Sequence, residues 1–196
     1  MAYSIILNNI IDRWVHLGEK RYPDGTRLVG HLERRGKGAY LHRVYGPLGG
    51  TTLLQSFHVP NVTIHESFYE FLSMHNGCNL FDGQLIVFGH RRSFDRSDVD
   101  AAACSPFDIL TPAVTNLSKS PSKNGLMISR YYDRSVVFLE PSGMIFHIDS
   151  NLTIINYWTG LREWLESEAA RLNPYFDMRG HAKVDLAELL PRPTPS

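Results

Sequence analysis

The sequence predicts an α+β protein. Three observations carry that expectation. Apolar residues recur at helical spacing near both ends of the chain, short strand patterns crowd its middle, and nowhere does strand alternate with helix as βαβα. The last point sets aside a doubly wound nucleotide-binding fold. The 196 residues suit one domain, placed at 1–177, followed by a mobile Pro-rich tail over 178–196 that ends Pro-Arg-Pro-Thr-Pro-Ser.

Residues 4–17 read as a helix, because Leu7, Ile10, Ile11, Trp14 and Leu17 make one apolar stripe. Ser4 is the expected cap and Gly18 the expected stop. Residues 19–58 read as a β-meander, either part of the main sheet or an elaboration of it. Its candidate strands are 26–33, 39–45 and 51–59, separated by Tyr22-Pro-Asp-Gly25, Arg34-Arg-Gly-Lys-Gly38 and Gly46-Pro-Leu-Gly-Gly50. Thr63 and Glu66 fit a capping box that starts a helix with Ile64, Phe68, Phe71, Leu72 and His75 on one side. Asn76-Gly77 ends it, since both residues tolerate the left-handed conformation. Gln84 to Phe88 follows as a buried strand closed by Gly89. Residues 90–124 are rich in Arg, Asp, Ser and Pro and read as loop, with a short helix over 97–103. Residues 126–132 form the next strand, and 136–139 with 144–148 a hairpin around Glu140-Pro-Ser-Gly143. Residues 152–158 carry no decisive pattern. Leu161, Trp164, Leu165, Ala169 and Leu172 give a closing helix, with Thr159 as its candidate cap.

Composition narrows function. Lys plus Arg total 20 and Asp plus Glu total 20, which disfavours a basic nucleic-acid binder. Residues 1–60 hold eight basic and four acidic side chains, so the front is mildly basic and the rest mildly acidic. Cys78 and Cys104 cannot build a disulfide scaffold or a zinc knuckle, and a reducing compartment is the simpler reading. The first 17 residues lack a signal-peptide pattern, and no apolar run is long enough to span a bilayer, so a cytoplasmic protein is expected. The sequons at Asn61, Asn116 and Asn151 are then chance matches.

Catalytic patterns are sparse. Gly30 to Gly38 is the nearest approach to a P-loop, but has one residue too many and Gly where Ser or Thr should hold magnesium. His147 and Asp149 would share a strand face, as an acid/base pair or as an ordinary polar strand end. His31, His42 and His58 fall on the three strands of the meander and would cluster as metal ligands if the register allowed. His75 lies where a helix dipole favours a cation. Cys104 lies in a loop with no base assigned to it, and the bland reading is a small packed thiol. Tyr131-Tyr132-Asp133-Arg134 caps a strand and reads as partly exposed, either a partner-binding surface or a plain hairpin turn. The loop 90–100 mixes three Arg with three Asp.

Ser67-Phe-Tyr-Glu-Phe-Leu-Ser-Met-His-Asn-Gly-Cys78, then Leu80-Phe81 and Leu85-Ile-Val-Phe-Gly89, resembles the signature of the SMI1/KNR4 family of the SUKH superfamily. Val59-Pro60 resembles the family's Leu-Pro lead-in, Tyr69 and Phe71-Leu72 its helix, and Asn76-Gly77 its turn. The hairpin 136–148 and the helix 161–172 resemble its later elements. Cys78 departs from the pattern, standing where the family prefers a second Gly. The spacing from Pro60 to Tyr69 is longer than the family's, and residues 19–58 are added or strongly diverged. The resemblance implies helices at the N-terminus, centre and C-terminus packed on a mostly antiparallel curved sheet. It also implies a non-enzymatic binding protein, with no catalytic residue, metal or cofactor to carry over. Many bacterial members are immunity proteins that block a cognate toxin, often a nuclease, while eukaryotic relatives are signalling scaffolds. The expected function is therefore immunity by steric occlusion, with no direct contact to nucleic acid or membrane. The alternatives are a signalling or assembly scaffold and a metal-dependent hydrolase built on the histidines. Partner contacts are expected at Asp95, Asp98, Asp100, Tyr131, Tyr132 and Asp133.

Overall fold

A computed structural model of the chain describes residues 2–36, 38–49, 64–91, 97–111 and 119–191. It is α+β: two antiparallel sheets with helices packed against them. Helix α1 (Ala2–Ile11) continues as a 3-10 helix over Asp12–Leu17. Its apolar stripe is buried through Leu7, Ile11 and Trp14, as the spacing predicts. The helix begins before Ser4, so that hydroxyl does not cap it; it bonds instead to His75 Nε2 at 2.9 Å. Gly18, at φ +110°, turns the chain out of the helix.

The first sheet runs in chain order through β1 (Glu19–Arg21), β2 (Arg27–His31), β3 (Tyr40–Val44), β4 (Cys78–Leu80) and β5 (Leu85–Val87). β3 pairs directly with β4, Val44 opposite Cys78, so the predicted meander shares a sheet with the motif region. The candidate strand 51–59, with His58, Val59-Pro60 and Thr63, lies outside the described residues. Helix α2 (Glu66–Met74) is capped by His65, whose Nδ1 accepts from the Ser67 amide at 3.2 Å. Phe68, Phe71 and Leu72 form its buried face.

The two halves of the quoted motif touch. Gly77 has φ +89°, and a Cβ there would lie 2.6 Å from the Val87 carbonyl oxygen. A Cβ on Gly89 would lie 2.1 Å from the Asn76 carbonyl oxygen. Asn76 clasps the backbone of His90, donating from Nδ2 to its carbonyl (2.8 Å) and accepting from its amide at Oδ1 (2.7 Å). The Asn-Gly helix stop thus doubles as a weld between the end of α2 and the end of β5, and neither glycine leaves room for a side chain.

The second sheet is an up-and-down set of β6 (Leu126–Arg130), β7 (Val136–Leu139), β8 (Ile145–Ile148) and β9 (Ile154–Trp158). The sheets meet where the Phe88 amide, just past β5, donates to the Ile128 carbonyl of β6 at 2.8 Å. Short helix α3 (Val99–Ala103) lies between them in sequence, and α4 (Leu161–Leu172) follows β9. α1 lies against α2 and α4, and one apolar cluster joins Trp14, Phe71, Phe81, Phe138 and Trp164.

The segment expected to be a mobile tail packs onto the domain as far as Pro191. Leu189 joins the core, Val184 and Leu190 pack against it, and Lys183 N donates to the Tyr175 carbonyl at 2.8 Å. Arg171 also reaches the Leu189 carbonyl. These apolar anchors among polar neighbours hold the segment. Residues 192–196 lie outside the described residues.

Candidate interaction surface

The six expected partner contacts do not form one surface. Asp95 lies outside the described residues. Asp98 caps α3, accepting from the amides of Asp100 (3.0 Å) and Ala101 (2.9 Å). Asp100 pairs with Lys20 of β1 at 3.0 Å, and this contact holds its carboxyl below the usual range. Tyr132 and Asp133 sit instead on the turn between β6 and β7, in the other sheet.

Tyr131 corrects the expectation of exposure. It is 5 % exposed, with its ring 4.5 Å from that of His147 and its hydroxyl 3.3 Å from Trp164 Nε1. Burial raises its phenol pKa well above the ordinary value. Its neighbour Tyr132 points the other way and is 72 % exposed. Asp133 is spent on the turn: its Oδ1 accepts from the amide (2.9 Å) and hydroxyl (2.6 Å) of Ser135.

The catalytic candidates are buried or tied into turns. His147 is fully buried, with Nε2 2.6 Å from Ser135 Oγ, and burial pulls its pKa down to about 4. Asp149 holds the following turn, accepting from the amides of Asn151 and Thr153 at 2.8 Å each. His42 is sealed between Trp14 and Phe81, where burial lowers its pKa to about 3. His75 closes α2, yet burial, Arg27 and the chain N-terminus pull it to about 4, so it is neutral rather than the expected cation. Burial pushes Cys78 up to about 12 and Cys104 up to about 11, so both are thiols at neutral pH. Gly30, the first glycine of the P-loop-like stretch, lies inside β2. Among the described residues, no three His, Cys, Asp or Glu side chains are placed to hold a metal ion.

What the sequence reading missed is the outer edge of the second sheet. β9 is the terminal strand, and no strand lies beyond it among the described residues. Ile154 is 46 % and Tyr157 66 % exposed. Leu152, 56 % exposed, stands on the turn before β9, at the same end of the sheet as Tyr132. It holds φ +64°, a left-handed conformation unusual for leucine, with its apolar side chain in water. The opposite terminal strand differs. β1 is Glu-Lys-Arg, a charged edge of the kind that discourages strand addition. Residues 150–161 contain no charged side chain at all, and that run is the signal by which the sequence could have marked β9.

Among the described residues, no helix is long and apolar enough to cross a membrane. Comparison of the chain with protein-family models, curated proteins and solved structures finds no match.

Proposed function

We propose that this chain is a non-enzymatic protein-binding domain that docks its partner along the β9 edge. The observation that carries the reading is the contrast between the two sheet edges. A strand that ends a sheet is a template for pairing, and natural proteins usually blunt it with charge. Here β1 is blunted and β9 is not. Tyr132, Leu152, Ile154 and Tyr157 supply the amphipathic aromatic and aliphatic anchors typical of binding hot spots.

The resemblance of residues 59–173 to the SMI1/KNR4 family supports a cognate toxin as the partner, with occlusion of the toxin's working surface as the mechanism. The buried histidines and protonated thiols favour this reading over the hydrolase. A tagged pull-down from the native organism, read by mass spectrometry, tests it. A stoichiometric partner with a toxin-like domain, whose activity the chain suppresses in vitro, is the expected result. A set of housekeeping proteins would replace immunity with a scaffold role. Turnover of a substrate by the purified chain would overturn the non-enzymatic reading.

A further inference from the structure

The far end of the molecule holds a second feature, built by the segment after α4. Phe176 bridges Ala182, and Asp177 organises the turn between them: its Oδ1 accepts from the amides of Arg179 (2.8 Å) and His181 (2.9 Å). Gly180 crosses this turn at φ +76°, close against Leu32 and Leu41. The turn is fastened to the helix before β1 at two points. Trp14 Nε1 donates to the Asp177 carbonyl at 2.9 Å, and His16 contacts the carbonyls of Arg13 and Met178 through its two ring nitrogens, both at 3.0 Å.

Between the turn and the end of β2 lies a cleft of about 360 Å³. Its floor is apolar, at Leu17 and Leu32, and its walls carry His16, His31, Arg179, His181 and the single carboxylate Glu33. His16 is engaged in the fastening, and Arg179 and His181 lie near enough to the Asp177 carboxylate to help hold its pKa down. Among the described residues, the side chains of Arg179 and His181 make no hydrogen bond or ion pair, and His31 Nε2 is buried without a partner. The cleft is not arranged for a cation, because no metal-holding trio exists among the described residues and Arg179 would repel one. We propose that this cleft binds a small molecule bearing an oxyanion, phosphate or carboxylate, with Arg179 as its principal anchor, His181 as a further donor and the His31 ring lining it. A planar guanidinium with free N–H groups matches two oxygens of such a group at once. The apolar floor takes the uncharged part of the ligand. Glu33, which would repel a second anion, accepts from a hydroxyl or amine. The site is separate from the β9 edge and does not depend on the function proposed for it.

The test titrates the full chain with inorganic phosphate and, separately, with acetate, at constant ionic strength, following the histidine ring resonances by NMR. Saturable shifts at His31 and His181, with buried His42 unmoved, are expected from at least one anion, and the stronger one names the ligand class. R179Q should weaken that binding by about tenfold or more, and R134Q, on the distant β6–β7 turn, should leave it unchanged. Shifts that never saturate, or a titration identical in R179Q, would overturn the site.

Discussion

Lowering the pH through the histidine range should destabilise this protein before its carboxylates protonate. His42 and His147 are both fully buried, and burial sets their folded pKa values to about 3 and about 4. In the unfolded chain an imidazole titrates near 6.5. As pH falls through that value, the unfolded state takes up protons that the folded state refuses, so stability is full above about pH 6.5 and declines below it. The decline continues until the folded pKa is reached. Each such group costs about 1.4 kcal/mol per pH unit across the window, hence about 2 kcal/mol at pH 5. The pair removes about 4 kcal/mol there, and His75, also depressed, acts in the same direction. A typical domain has only about 5–15 kcal/mol in all. Urea unfolding followed by tryptophan fluorescence at pH 8, 6 and 5 reads the effect, with the midpoint falling steeply between pH 6 and 5. His42 and His147 titrating near 6.5 in the native state by NMR, or a midpoint flat to pH 5, would refute the reasoning.

Three further outcomes follow from particular contacts. Gly77→Ala places a Cβ 2.6 Å from the Val87 carbonyl at φ +89°, and should lower stability by more than about 2 kcal/mol, read by thermal melting. Leu152→Asn keeps a left-handed residue with a side chain suited to it, and should raise stability by up to about 1 kcal/mol while weakening partner capture. Cys78, fully buried and held as a thiol, should resist a thiol reagent at pH 8 until the protein unfolds, whereas Cys104, half-buried, should react first.

The elements legible in the sequence were those whose side chains announce a period or a stop. The stripe from Leu7 to Trp14, the run ending at Gly89 and the turn at Gly143 all declare themselves locally. β1 did not, because Glu-Lys-Arg has no apolar residue and owes its place to pairing with Arg27 to Val29 of β2. β9 did not, because Ile154, Ile155, Tyr157 and Trp158 put bulky residues on both faces of an edge strand and erase the alternation. Tyr131 and Tyr132 are neighbours with opposite fates, decided by Trp164, which stands 33 positions away and meets only the first. The same holds for His42, whose cage is made by Trp14 and Phe81 from other elements. The proposed docking surface was hard to read for the same reason. Acidic residues drew attention through their charge, while Asp98 and Asp133 turned out to serve their own backbones. The proposed anion cleft was invisible because its lining comes from residues 16–17, 31–33, 179 and 181, the last two in the stretch read as a mobile tail.

The central claim is that β9 is the docking edge, and Ile154→Lys tests it most directly. Ile154 is half-exposed, so a lysine there leaves the core intact and places a charge on the pairing edge. Capture of the native partner by Ile154→Lys should be compared with capture by the wild type and by Asp100→Asn, which alters the β1 side. The account predicts that Ile154→Lys, folded as judged by circular dichroism, loses the partner while Asp100→Asn retains it. Full capture by folded Ile154→Lys would contradict the account.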